Sequence, residues 1–114
     1  MSIMGVYDTL SRVVELVNSD PAVKGELKGF GKVFQFDTGV DKFYVSFNQD
    51  GSISISKGQH PNPSATLSGS EEVMEGIVSG KVDAVSAFFQ GKLKVSGDIM
   101  SAQRLASIMS RARK

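Results

Sequence analysis

The sequence predicts an α+β fold in which helices cover one face of a sheet. Three observations carry that prediction. Residues 31–56 alternate apolar and polar with a period of two. The segments before and after it space their apolar residues by three and four. The strands are also grouped rather than interleaved one-to-one with helices, which separates this pattern from a doubly wound α/β chain.

The first helix is expected over 3–18, where Val6, Leu10, Val13, Val14 and Val17 share a face opposite Asp8, Arg12 and Glu15. Asn18-Ser19-Asp20-Pro21 reads as a stop and restart, with Asp20 as cap and Pro21 in the first turn. Gly25 weakens a second helix over 21–28. Val33 to Phe36 reads as a strand, and Asp37 to Asp41 turns the chain. Phe43, Val45 and Phe47 then alternate with Tyr44, Ser46 and Asn48. Asp50-Gly51 marks a hairpin, because glycine accepts the positive φ of a primed turn. Ser52-Ile53-Ser54-Ile55-Ser56 completes a three-strand meander.

Lys57 to Pro63 is a loop whose prolines cannot donate to a ladder. A fourth strand follows at Ala65 to Leu67. Ser70 caps a helix with Glu71 and Glu72 in its first turn and Val73, Met74, Ile77 and Val78 on one side, and Gly80 ends it. Asp83 caps a shorter helix through Phe89, closed by Gly91. Lys92 to Ser96 is the fifth strand, and a last helix from Asp98 buries Ala102, Leu105, Ala106, Ile108 and Met109. The strand–helices–strand connection between the fourth and fifth strands predicts that these two run parallel if adjacent.

Composition excludes several classes of function. The chain has 114 residues, enough for one domain that buries roughly two-thirds of its unfolded surface. No apolar run approaches the ~18 residues of a membrane span. MSIMGVYDTL lacks the basic-then-apolar plan of a secretory signal. Cysteine is absent, which removes disulfides, thiol chemistry and the usual structural zinc sites and fits an intracellular compartment. Net charge is +1, so no global field attracts a polyanion, although Arg104, Arg111, Arg113 and Lys114 crowd the C-terminus.

Catalytic motifs are also missing. His60, the single histidine, lies in a loop and is expected to be solvated. Gly31-Lys32, Gly80-Lys81 and Gly91-Lys92 lack the remaining residues of a phosphate loop. GFGKVF at 29–34 lacks the third glycine of a dinucleotide fingerprint and precedes a strand instead of following one. The strand phenylalanines could stack on bases, but the helices need their face and no basic stripe accompanies them, so nucleic acid is not an expected partner. The absence of these motifs disfavours an enzyme, and no cofactor or metal is expected.

What remains is an apolar surplus of phenylalanine and methionine, read from composition as core filler. The C-terminal half sharpens that reading. SATLSGSEEVMEGIVSGKVDAVSAFFQGKLKVSGD, followed by xMSAQRLASIM, resembles the sterol carrier protein type 2 family of nonspecific lipid-transfer domains, most specifically over 80–98. The resemblance implies one such domain over 1–114, with a five-stranded mixed, mainly antiparallel sheet in the order 3-2-1-4-5. It also implies an apolar tunnel between sheet and helices for fatty acid, fatty acyl-CoA, phospholipid or sterol.

The residues it implies for lipid contact are Phe36, Ile77, Phe88, Phe89, Gln90, Leu93, Val95, Met100, Leu105, Ile108 and Met109. Phe88 and Phe89 are then core that also walls a cavity, with Gln90 a polar group at the rim. The basic tail suggests transient contact with an anionic membrane, and the expected state is a monomer. Peroxisomal members often end in a Ser-Lys-Leu-like tripeptide. Here the ending is Ala112-Arg113-Lys114, so that address is not evident, and the expected location is peroxisomal or cytoplasmic. Two other functions fit the same residues: an interaction domain with a dry core, and an accessory unit presenting lipid to a separate enzyme.

Overall fold

The computed structural model describes residues 5–112, and within the last helix side chains through Ile108. The expected start of the first helix at residues 3 and 4 lies outside the described residues. The elements are α1 (Val6–Asn18), α2 (Pro21–Leu27), β1 (Val33–Asp37), β2 (Lys42–Phe47), β3 (Ile53–Lys57), β4 (Ala65–Gly69), α3 (Glu71–Ser79), α4 (Ala84–Phe89), β5 (Leu93–Gly97) and α5 (Ile99–Ala112). The doubtful second helix forms despite Gly25: Pro21 presets its first turn, and Asp20 accepts from the Ala22 and Val23 N–H groups.

The five strands form one sheet in the order β3-β2-β1-β4-β5. β1–β2, β2–β3 and β4–β5 pair antiparallel, whereas β1–β4 pair parallel. The expectation that the fourth and fifth strands run parallel is therefore corrected: Leu67 faces Val95 across an antiparallel ladder. The registers explain why. Because α3 and α4 together return the chain to the sheet end it left, β5 runs back down β4. The long return is made instead by residues 58–64, which carry the chain from the end of β3, at Lys57 opposite Phe43, to the start of β4, at Ala65 opposite Phe34.

Cross-strand partners share a face of a sheet. Phe34 opposite Val45, Phe36 opposite Phe43, Val45 opposite Ile55, Phe47 opposite Ile53 and Phe36 opposite Leu67 therefore line one apolar surface, against which the helices pack. The opposite face is polar but not wholly wet. The 58–64 return crosses it and buries Gln35, whose Nε2 donates to the Phe43 and Gly58 carbonyls at 3.1 and 3.0 Å. Gln35 Oε1 accepts from the His60 N–H at 2.8 Å. His60 is thus half-buried, its ring edge-on to Tyr44 at 5.0 Å, rather than the solvated loop residue expected. Its Nδ1 accepts from the Asn62 N–H, so the loop's own fold engages the ring.

α1 covers the β3 side of the sheet. Val6, Leu10, Val14 and Val17 are its buried stripe. Asn18 pairs with the Ile53 backbone in both directions, at 2.8 and 2.9 Å, so the helix end satisfies part of an edge strand that would otherwise be open. Thr9 donates to Glu75 at 2.8 Å, tying α1 to α3.

Candidate functional site

Three helix starts, each capped by a side chain the sequence makes legible, set the walls of the site. Ser70 accepts from the Val73 N–H at the head of α3. Gly80, at φ +88°, lets the chain leave α3 in the left-handed region, and the Gly76 carbonyl then takes both the Lys81 and Val82 N–H groups. A Cβ at Gly76 would stand 2.5 Å from Val82 Cγ2, so only glycine allows this turn to lie so close on the helix. Asp83 then caps α4 through the Ser86 N–H and hydroxyl, at 3.0 and 2.9 Å. Asp98 caps α5 in the same way through Ser101, at 3.1 and 2.7 Å. The Ser101 hydroxyl, then its N–H, hold the Asp98 carboxyl below its usual pKa; the Lys32 ammonium, 3.6 Å away, adds to this.

These helices enclose a cavity of about 90 Å³, open on one side to solvent, over the β1-β4-β5 part of the sheet. Its floor is Phe36, Leu67, Leu93 and Val95. α3 supplies Met74, Ile77 and Val78, and α4 supplies Ala84, Val85, Phe88 and Phe89. α5 supplies Ile99, Ala102, Gln103, Leu105 and Ala106. Among these described residues none carries a charge, and Gln103 is the only hydrogen-bonding side chain, exposed at the opening. Such a wall can hold an apolar body by exclusion of water and can orient one polar group, but it offers no acid, base or nucleophile.

Of the residues singled out from the sequence, Phe36, Ile77, Phe88, Phe89, Leu93, Val95 and Leu105 meet at this cavity. The paired phenylalanines are not core, as expected, but rim: Phe88 is 36% and Phe89 80% exposed, with their rings edge to face at 5.7 Å. Gln90, the C-cap of α4, lies outside the wall, and Met100 points to solvent at 77% exposure. Ile108 lines a smaller apolar space beneath α1. Met109 lies outside the described side chains, as do Arg111, Arg113 and Lys114 of the basic tail. Arg104, the remaining tail cation, stands over the Phe30 ring at 5.5 Å.

Sequence reasoning missed Gln103. The signal was present: Ile99, Ala102, Gln103 and Ala106 fall at i, i+3, i+4 and i+7, one helical stripe aimed into the cavity. Val85 and Ile99 join Phe88 and Phe89 as exposed apolar groups of the cavity wall.

A profile described as the SCP-2 sterol transfer family matches residues 10–110. A curated relative, peroxisomal multifunctional enzyme A of Dictyostelium discoideum, is 40% identical over 62 residues, which are 54% of this chain but 14% of that protein. Among solved structures, palmitated SCP2L2 from Aedes aegypti superposes with a TM-score of 0.70 at 24% identity, covering 93% of this chain and 95% of that one. The apo form of sterol carrier protein 2 from Yarrowia lipolytica superposes with a TM-score of 0.68 at 23% identity, covering 99% and 97%.

Proposed function

The chain belongs to the SCP-2 sterol transfer family, and from that premise we propose that it is an intracellular, monomeric lipid carrier that binds and transfers amphiphiles without covalent chemistry. The observation that carries the reading is the uncharged apolar cavity opening between α4 and α5. The ligand's hydrocarbon part lies on Phe36, Leu67, Leu93 and Met74, while its head group stays at the mouth beside Gln103. Each methylene taken from water contributes about 0.8 kcal/mol, so twelve supply roughly 10 kcal/mol before the cost of ordering the ligand. Such contacts are non-directional, and they accept fatty acid, fatty acyl-CoA, phospholipid or sterol on the same terms.

Loading takes place at a membrane surface. Exposed Val85, Phe88, Phe89 and Ile99 give the mouth an apolar edge, and Lys81 and Lys92 flank α4 in the chain. Aromatic rings suit the boundary between head groups and chains, and each lysine near an anionic bilayer contributes about 1 kcal/mol. The location is peroxisomal or cytoplasmic; the name of the Dictyostelium relative favours the former. That relative also favours a second reading, in which the domain presents lipid to an enzyme, because the matched segment is a small part of a multifunctional protein.

Native mass spectrometry of the purified protein, with displacement of a fluorescent acyl probe, tests the proposal. A co-purifying lipid or saturable displacement is expected. Bare protein that also fails to bind the probe overturns the carrier reading and leaves an interaction domain.

A further inference from the structure

The cavity does not end in featureless core. Behind it, between α1, the meander and α5, lies a second, much smaller apolar space of about 20 Å³, room for the end of a hydrocarbon chain, lined by residues such as Leu10, Val14, Val17, Phe47 and Ile108. Phe36 and Leu105 are the two residues that border both spaces. Resting on the lipid-carrier reading above, we propose that Phe36 and Leu105 form a partition that sets the length of hydrocarbon chain the cavity accepts, and that the second space is a reserve chamber reached past it.

The two leaves of the partition differ in stiffness. Phe36 is stacked flat on Phe43, with ring centres 5.1 Å apart and planes 8° from parallel, and its turning would disrupt that stack. Leu105 enters from the opposite layer on α5 and is an aliphatic side chain with no ring to stack. Leu105 is therefore the leaf whose size decides whether the two spaces join. The reserve chamber is walled only by hydrocarbon side chains, so it holds no water at small cost and is suited to receive the end of a chain, not a head group.

Saturated fatty acids from octanoate to eicosanoate, competing against the fluorescent acyl probe, read this directly. Affinity should rise roughly fourfold per buried methylene until the chain end meets the partition, and then level off. In Leu105→Ala the plateau should move to longer chains, and adding Val14→Phe to fill the reserve chamber should move it back. Leu105→Val, a gentler truncation, carries the same test with a smaller displacement if the alanine variant does not fold by circular dichroism. A wild-type protein that binds no acid of any length refutes the carrier reading itself. Binding without a plateau, or a plateau that stays in place in folded Leu105 variants, refutes the partition alone.

Discussion

The two halves of the apolar sheet face are built from the same alternation and end differently. Over β2 and β3 the face is nearly filled, with only a gap of about 20 Å³ beneath α1. Phe30 and Phe34 both meet Phe47 edge to face and tilt toward each other, with ring centres 5.1 to 6.1 Å apart, and Tyr7 closes on Phe43 at 5.4 Å. α1 fits its leucine and valines onto them. Over β4 and β5 the strand residues are Ala65, Leu67, Leu93 and Val95, and the facing helices offer Ala84, Ala102 and Ala106. Smaller side chains on both sides of a fixed layer spacing leave space. Whether a helix-on-sheet layer becomes core or container is thus set by side-chain volume, not by pattern.

The largest effect expected from this contrast is on stability in the filled half. Phe43 is fully buried in the aromatic cluster, and Phe43→Ala should cost about 3–5 kcal/mol in urea unfolding. Val85→Ala, at the half-exposed rim of the open half, should cost under about 1 kcal/mol. Equal costs would erase the distinction between the halves.

Next comes the stabilisation that ligand brings to the open half. Lipid at a hundredfold excess over Kd should stabilise the wild type by about 2.7 kcal/mol, seen as a rise in Tm. Phe89→Glu puts a carboxylate at the apolar mouth and should remove most of that rise, while changing the ligand-free protein by under about 0.5 kcal/mol. An undiminished rise would mean that the mouth lies elsewhere. Ala106→Leu, which adds volume to the cavity wall, should weaken probe binding by about tenfold, or 1.4 kcal/mol, with Tm nearly unchanged. An unaltered affinity would show that Ala106 does not border the ligand.

Much of the filled half was readable from sequence, because alternation at 43–56, the Asp50-Gly51 turn and the Asp20 cap are local signals. The direction of β5 was not. Two helices that fold back over one sheet end leave the same order of elements as a crossover, and only the pairing of β5 with β4, a contact distant in sequence, separates the two. The cavity was half legible. Its strand and α3 residues follow from periodicity, but the exposure of Phe89 and Met100 depends on how far α4 and α5 stand from the sheet, which no local pattern encodes. Gln35 and His60 escaped for a related reason: their burial comes from a loop crossing the polar face of the sheet.

The smallest expected effect sets two aspartates against each other, one in each half. Asp50, in the β2–β3 turn, accepts from the Ser52 hydroxyl and N–H; Asp98 heads α5 above the cavity and accepts from those of Ser101. In both, the serine hydroxyl bond is the main cause that holds the carboxyl below its ordinary value of 3.8. A carboxyl whose pKa is lower in the folded state stabilises the protein fully above its unfolded pKa and loses that contribution as pH falls through the folded one. Asp50→Asn and Asp98→Asn should therefore each lower Tm slightly and by a constant amount at neutral and mildly acidic pH. The difference from wild type should shrink once pH falls below 3.8. Both groups are at the surface, where solvent and salt keep such effects small. Only Asp98→Asn should also speed release of a bound acyl probe, because it loosens the first turn of a helix that walls the cavity. Faster release from both variants would show that the halves are not separable, and a Tm difference that persists in strong acid would show that these carboxylates act through something other than their charge.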